Sequence, residues 1–340
     1  MPSIAEEFEE LRRSSPTLRA RDAAERLGAT EAVLVACGVT NPVTPLRPDW
    51  PGLIASLRTL GPVMALTQNA HAVHERHGRY EDVSASPGHI LVLGPDIDLR
   101  LFPGRWAHAY ALGGEQPSLQ IFDRYGEAAH KVFATAATDL SAWNKLVGEF
   151  TASGAAPPPR YAVPAPPPEP EGLVDVTALR ADWLTLRDKH DFVSLLRRHK
   201  ASRRQALQLA GNDLALRVSD DAARSMLEVA AADGVPIMVF VGNRSAIQIH
   251  TGPVQRLRAT PGWFNVLDPC FNLHLHEAGV ASAWRVVKPT VDGPITSLEL
   301  LNADGSVVAQ IFGAREPGQP ELAQWRELLA DTLEPLVVPA

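Results

Sequence analysis

His190 lies in DVTALRADWLTLRDKHDFVSLL, and it is the histidine that most needs an explanation. Leu179, Trp183, Leu186 and Val193 keep helical spacing, and His190 falls on that stripe where an aliphatic residue is expected. Alternatively, Asp188 caps a fresh helix and Asp191 sits in its first turn. Either way an imidazole is flanked by apolar residues. It can offer a ring nitrogen to a metal or settle as a hydrogen-bonded core histidine. Cations keep it company: Arg203 and Arg204 follow closely, then Arg244 in VGNRSA, Lys288 in WRVVKPT and Arg315 in FGAREPG. Arg244 reads as part of a strand-like stretch, Lys288 and Arg315 as strand or turn edges. Positive charge beside apolar surface suits an amphipathic dianion.

Other groups read more plainly. His71, His74 and His77 would share a helix face and could hold a metal there, but the repeat described below puts them in a strand and turn, with His74 pointing away. His274 and His276 alternate on one strand face and read as a packed or pocket-lining pair. AAERLGATEAVL (23–34) resembles a helix-turn-helix, the serious non-enzyme alternative of a DNA-binding regulator. Its second helix, ATEAVLVAC, has no Arg, Lys, Asn or Gln to reach base edges. No Gly-rich phosphate loop, H-E-x-x-H or Gly-x-Ser-x-Gly is present.

The elements that must position these residues come in two similar sets. GPVMALTQNAHAVHERHGRYEDV lies over GVPIMVFVGNRSAIQIHTGPVQRL, HILVLGPDIDLRLF over WFNVLDPCFNLHLH, and SLQIFDRYGEAAHKVF over SLELLNADGSVVAQIF. RDAAERLGA also lies over RRQALQLAG near the front of each set. The shared order of blocks indicates a tandem duplication. Turn residues at 94–96 and 302–305 predict hairpins, and 138–150 and 319–336 read as closing helices. Without βαβ alternation, the expectation is an α+β fold of two tandem repeats, each a large antiparallel sheet flanked by helices. A stretch with eight prolines in sixteen residues (156–171) cannot enter a helix interior or central strand. The expected division is an N-terminal repeat at 1–155, a linker at 156–172 and a C-terminal repeat at 173–340.

Bulk composition narrows the function classes. The chain has 340 residues, 45% hydrophobic and 21% charged, with a net charge of −7. That describes a globular protein of about two domains and disfavours a basic nucleic-acid binder. Its two cysteines exclude a disulfide framework and a four-cysteine zinc site. No apolar run reaches the ~18 residues of a membrane helix, and no signal-peptide pattern opens the chain, so a cytoplasmic protein without stable membrane insertion is expected. Haem fits the cations and the imidazole together: a flat apolar disc, two propionates and an iron that takes a histidine.

The stretches RDAAERLGA, GPDIDLRLF, DKHDFVSLLRRHKASRRQAL, FVGNRSAIQIHTG, WRVVKPTVDG and QIFGAREPGQPE resemble the bacterial haem-degrading and haem-trafficking family of the HemS/ChuS/PhuS group. The resemblance runs from about Leu18 to Leu336. It implies one main haem site in the C-terminal repeat. It implies that His190 is the iron ligand and that Arg100 reaches over the open face of the haem, with Phe102 packing on the macrocycle. Arg203, Lys288 and Arg315 are implied around the propionates, with Arg244 nearby. One departure stands out. The family often has a further basic residue after the first helical block, where this chain reads LVACGVT (34–40). The resemblance implies oxidative release of iron from haem b, as substrate, with O2 and an external reductant. The alternative is haem as cargo, carried to a separate haem oxygenase. An inner-membrane haem transporter, an oxygenase or a reductase are the implied partners, and no nucleic acid is expected.

Overall fold

The computed structural model describes residues 3–338 except 17, 40, 155–157, 159–171, 189–190, 316–317 and 334–335. His190 and nearly all of the proline-rich linker therefore lie outside the described residues. The first set of elements is α1 (Ile4–Ser14), α2 (Ala20–Arg26), α3 (Glu31–Ala36), β1 (Val43–Pro45), α4 (Trp50–Ser56), β2 (Val63–Gln68), β3 (Ala72–Gly78), β4 (Val83–Ser86), β5 (His89–Leu93), β6 (Asp98–Leu101), β7 (Trp106–Leu112), β8 (Ser118–Asp123), β9 (Ala128–Ala134) and α5 (Leu140–Phe150). The second is α6 (Val176–Leu184), α7 (Asp191–Arg198), α8 (Arg203–Leu209), β10 (Ala215–Val218), α9 (Ala222–Asp233), β11 (Ile237–Gly242), β12 (Ala246–Gly252), β13 (Leu257–Thr260), β14 (Trp263–Leu267), β15 (Phe271–His276), β16 (Ser282–Lys288), β17 (Ile295–Leu301), β18 (Val307–Gly313) and α10 (Ala323–Leu333).

The strands form two nine-stranded sheets, ordered β1-β7-β8-β9-β2-β3-β15-β14-β13 and β10-β16-β17-β18-β11-β12-β6-β5-β4. Counted round the chain, the second order is the first with every strand shifted by nine. The tandem α+β repeat expected from the sequence is therefore present. Turn chemistry repeats as well. Asn69 Oδ1 accepts from the amides of His71 and Ala72, and Asn243 Oδ1 accepts from those of Ser245 and Ala246. Each asparagine thus folds the chain between two strands by bonding the backbone just ahead of it. Arg244, expected within a strand, consequently sits exposed in this turn.

The chain divides into two compact units. Unit 1 holds residues 1–68, 75–166 and 243–248, and unit 2 holds 69–74, 167–242 and 249–340. In unit 1, Asp49 caps α4 by accepting from the Gly52 amide at 3.1 Å, and Asp139 caps α5. Leu53 and Ile54 from α4 and Trp143, Leu146 and Phe150 from α5 share one core with Leu119, Ile121, Ile90, Val92, Leu99 and Leu101 from the strands. Each large aliphatic side chain so buried contributes about 1.5–3 kcal/mol. In unit 2, α9 stops at Gly234, whose φ of 66° is the left-handed conformation glycine adopts without penalty. Met226, Leu227 and Ala230 of α9 pack with Val239, Val241, Leu298, Ile311 and Trp325.

The helix-turn-helix pattern becomes α2 and α3, with Gly28 between them at φ +58°. Glu31, Ala32, Leu34 and Val35 of α3 are all buried, so this helix presents no base-reading face. Among the described residues no helix is long and apolar enough to cross a membrane.

Candidate functional site

The segment around His190 is two helices, not one. α6 ends at Leu184 and α7 begins at Asp191, whose amide donates to the carbonyl of Asp188 at 3.1 Å. Leu179, Trp183 and Leu186 are buried as the stripe requires, but Val193 is 45% exposed, because the break between the helices changes their phase. Trp183 fixes α6 by donating from Nε1 to the Val287 carbonyl at 2.9 Å, and its ring meets Phe192 edge-on at 4.6 Å. The Val291 amide donates to the Arg187 carbonyl at 3.1 Å, tying the inter-helix turn to the loop after β16.

Phe192, two residues past position 190, carries a cationic corner. Lys288 Nζ lies 4.7 Å from its ring centroid and Arg203 Cζ 5.1 Å. Both cations converge on Glu299 of β17. Arg203 Nη1 donates to Glu299 Oε2 at 2.5 Å, and Lys288 Nζ donates to Oε1. The Glu299 side chain has no exposed surface. Burial alone would push its carboxyl up, yet Arg203 and Lys288 outweigh that and hold it at about 2. Burial pulls the Lys288 ammonium below its usual range, while Glu299 opposes the pull. Two cations and one carboxylate leave an excess of one positive charge in a dry corner. Ser202 places Arg203 here by capping α8, accepting from the Gln205 amide at 3.0 Å.

Arg315 follows β18 and pairs with Asp292 at 3.4 Å, and its Nη1 is buried without a hydrogen-bond partner among the described residues. In unit 1, Arg100 on β6 donates to the Asp98 carboxylate and to the Leu99 carbonyl, the latter at 3.3 Å. Phe102 follows directly, its amide donating to the Ser245 carbonyl at 2.9 Å. Of the residues singled out in the sequence, the structure brings Lys288 and Arg203 together. It gives Arg315 a separate ion pair in unit 2, and it sets Arg100, Phe102 and Arg244 in unit 1.

Sequence reasoning missed Glu299 and Phe192 as parts of this corner. The available signal was an acid inside an apolar strand, ITSLELL, every residue of which is buried. The other histidines of unit 2 are engaged elsewhere. His199 Nε2 meets Asp182 at 2.8 Å, His274 Nδ1 meets Asn265 at 2.7 Å, His250 stacks on Phe271 at 3.7 Å and His71 stacks on His276 at 5.9 Å. Among the described residues, no three His, Cys, Asp or Glu side chains are placed to hold a metal ion.

Comparison with known proteins agrees with the duplicated architecture. The family model described as haemin-degrading HemS.ChuX domain matches residues 28–150 and again 200–332. The hemin transport protein HemS of Yersinia enterocolitica is 39% identical over 335 residues, 96% of each chain. The holo form of PhuS, a heme-binding protein from Pseudomonas aeruginosa, superposes with a TM-score of 0.92 at 46% identity, over 96% of this chain and 98% of that one. The heme degrading enzyme ChuS of Escherichia coli O157:H7 gives 0.90 at 37% identity, over 98% of each chain.

Proposed function

This chain belongs to the haemin-degrading HemS/ChuX family, and on that premise we propose that it binds haem b through unit 2 and opens the ring oxidatively to release iron. The observation that carries the reading is the Arg203–Glu299–Lys288 corner against Phe192, two residues beyond His190. In this proposal His190 gives a ring nitrogen to the haem iron. An ammonium has three N–H donors, so Lys288 keeps Glu299 with one and can offer others to a propionate. Arg203 does the same with its guanidinium, and Nη1 of Arg315, without a hydrogen-bond partner among the described residues, supplies a further donor. The excess positive charge offsets the cost of bringing carboxylates to a desolvated site.

For Arg100 the role is chemical. A guanidinium remains protonated near neutral pH, so it donates hydrogen bonds to the oxidant and does not serve as a base. Phe102 offers an aromatic face to the macrocycle, and Arg244 an exposed positive charge. O2 is the oxidant and the electrons come from an external reductant. The proposed setting is the cytoplasm, with an inner-membrane haem transporter as source. Under the second reading the chain carries intact haem to a separate oxygenase; the heme-binding PhuS and the heme degrading ChuS are similarly close in structure, which keeps this reading in view.

The deciding experiment is a single turnover of the stoichiometric hemin complex with ascorbate or an NADPH-linked reductase, catalase being present. Loss of the haem bands with release of iron and an open tetrapyrrole is expected. Intact haem after reduction, transferred whole to an oxygenase, would overturn the catalytic part and leave the carrier. Arg100→Ala should keep hemin binding and slow the oxidation.

A further inference from the structure

The repeat counterpart of the unit 2 corner is a hollow in unit 1. Register sets the correspondence. In unit 1 Leu112 pairs with Ser118 and Gln120 with Lys131; in unit 2 Val286 pairs with Ser297 and Glu299 with Gln310. Two residues beyond Leu112 stands Gly114, where the other repeat has Lys288. A cavity of about 600 Å3 opens there, with Phe8, Leu112, Phe133, Gln120, Lys131 and Glu115 among its lining residues.

Two polar facts limit what can enter. Gln120 is 7% exposed; its Nε2 donates to Ser118 Oγ at 3.1 Å, and its Oε1 has no hydrogen-bond partner among the described residues. A buried acceptor left without a donor is costly, and the terminal amide torsion is soft enough to turn toward one. Charge supplies the second limit. Lys131 Nζ already donates to Glu31 Oε1 at 2.5 Å, and Gln68 Nε2 donates to Glu31 Oε2 at 3.2 Å. That ion pair is neutral as a whole. Glu115, exposed at the rim, adds negative charge. Unlike those of the unit 2 corner, the described residues lining this hollow carry no excess positive charge to hold an anion.

We propose that the unit 1 cavity binds an uncharged, ring-bodied small molecule carrying one N–H or O–H donor, with the donor on Gln120 Oε1 and the rings against Phe8 and Phe133. The site uses none of the residues assigned to haem and stands whether or not that assignment holds. The test is a fluorescence titration of the full chain with N-phenyl-1-naphthylamine, which has an apolar ring body and one N–H. Saturable binding of one molecule per chain is expected. Gln120→Leu removes the acceptor at similar volume and should weaken binding about threefold to tenfold. Ala20→Phe projects a ring into the cavity and should abolish binding, while melting temperature and hemin titration stay at wild-type values. The sulfonated analogue 1-anilinonaphthalene-8-sulfonate should bind about tenfold more weakly, because its charge finds no counterpart. Absence of saturable binding, binding insensitive to both substitutions, or an anion bound as tightly as the neutral probe would overturn the proposal.

Discussion

The two repeats share one strand order but fill equivalent interior positions with different chemistry. In unit 1, His130 exchanges hydrogen bonds with Tyr80 Oη at 2.6 Å and Thr67 Oγ1 at 2.9 Å, all in the core. The corresponding positions in unit 2 are Ala309, Val254 and Val241, each buried and apolar. The β8/β9 position pair Gln120–Lys131 becomes Glu299–Gln310, so the buried charge on the sheet changes sign and moves one strand over. Unit 1 neutralises its lysine with Glu31 of α3. Unit 2 surrounds its glutamate with two cations and gains a net positive charge. A duplicated fold therefore fixes where polar side chains can be buried, while their identity decides whether the place becomes a structural bond, a hollow or a cationic site.

The largest expected effect comes from acid. Burial holds the His130 imidazole at about 3, well below its ordinary 6.5, so the unfolded chain binds one more proton between those values. Stability from this group is complete above pH 6.5 and is lost as pH falls toward 3, about 5 kcal/mol in all. Unit 2 has no such group at Ala309. Its Glu299 acts lower, with stability complete above pH 4.5 and lost as pH falls toward 2. Urea unfolding across pH should show unit 1 giving way first, and His130→Gln should remove about one proton from the slope between pH 6.5 and 3. An unchanged slope would break the comparison at its most measurable point.

Removing the acids probes the two buried charge sets directly. Glu299→Ala leaves two cations without their carboxylate and should cost about 3–5 kcal/mol. Glu31→Ala leaves one cation, Lys131, and the neutral Gln68 amide without their carboxylate, and roughly half that loss is expected. A larger loss at Glu31 would reverse the ranking of the two networks. The smallest free-energy change is expected in ligand binding. His190→Ala should shift the Soret band and weaken hemin by at least tenfold, about 1.4 kcal/mol. Phe8→Ala should leave the band where it is; laying RDAAERLGA over RRQALQLAG puts the first-repeat counterpart of His190 near position 8. If Phe8→Ala moved the band and His190→Ala did not, the haem assignment would pass to unit 1.

Much of the architecture was legible because it is local. Alternating strands, the Asn-Ala-Asp-Gly turn at 302–305 and the closing helices α5 and α10 follow from period, turn residues and caps within a few positions of each other. Arg203 and Lys288 were legible as cations beside apolar runs. Their meeting was not, since it needs β16, β17 and α8 to be folded together. The helical stripe through His190 misled at Val193, whereas the alternative of a fresh helix after Asp188 with Asp191 in its first turn, read from residue type and not from spacing, agrees with α7. Nothing within ITSLELL marks Glu299 as the meeting point of two cations, because Arg203 and Lys288 come from other elements.

By itself, then, the amino-acid order specified a duplicated α+β chain and the side chains able to meet an amphipathic dianion. Tertiary structure decided which of those charges are buried together. A carboxylate enters a dry interior only where cations from other elements arrive at the same point, and that convergence is a property of three-dimensional register. The same register left Gly114 where its counterpart is Lys288, so one repeat holds a cationic corner and the other a cavity.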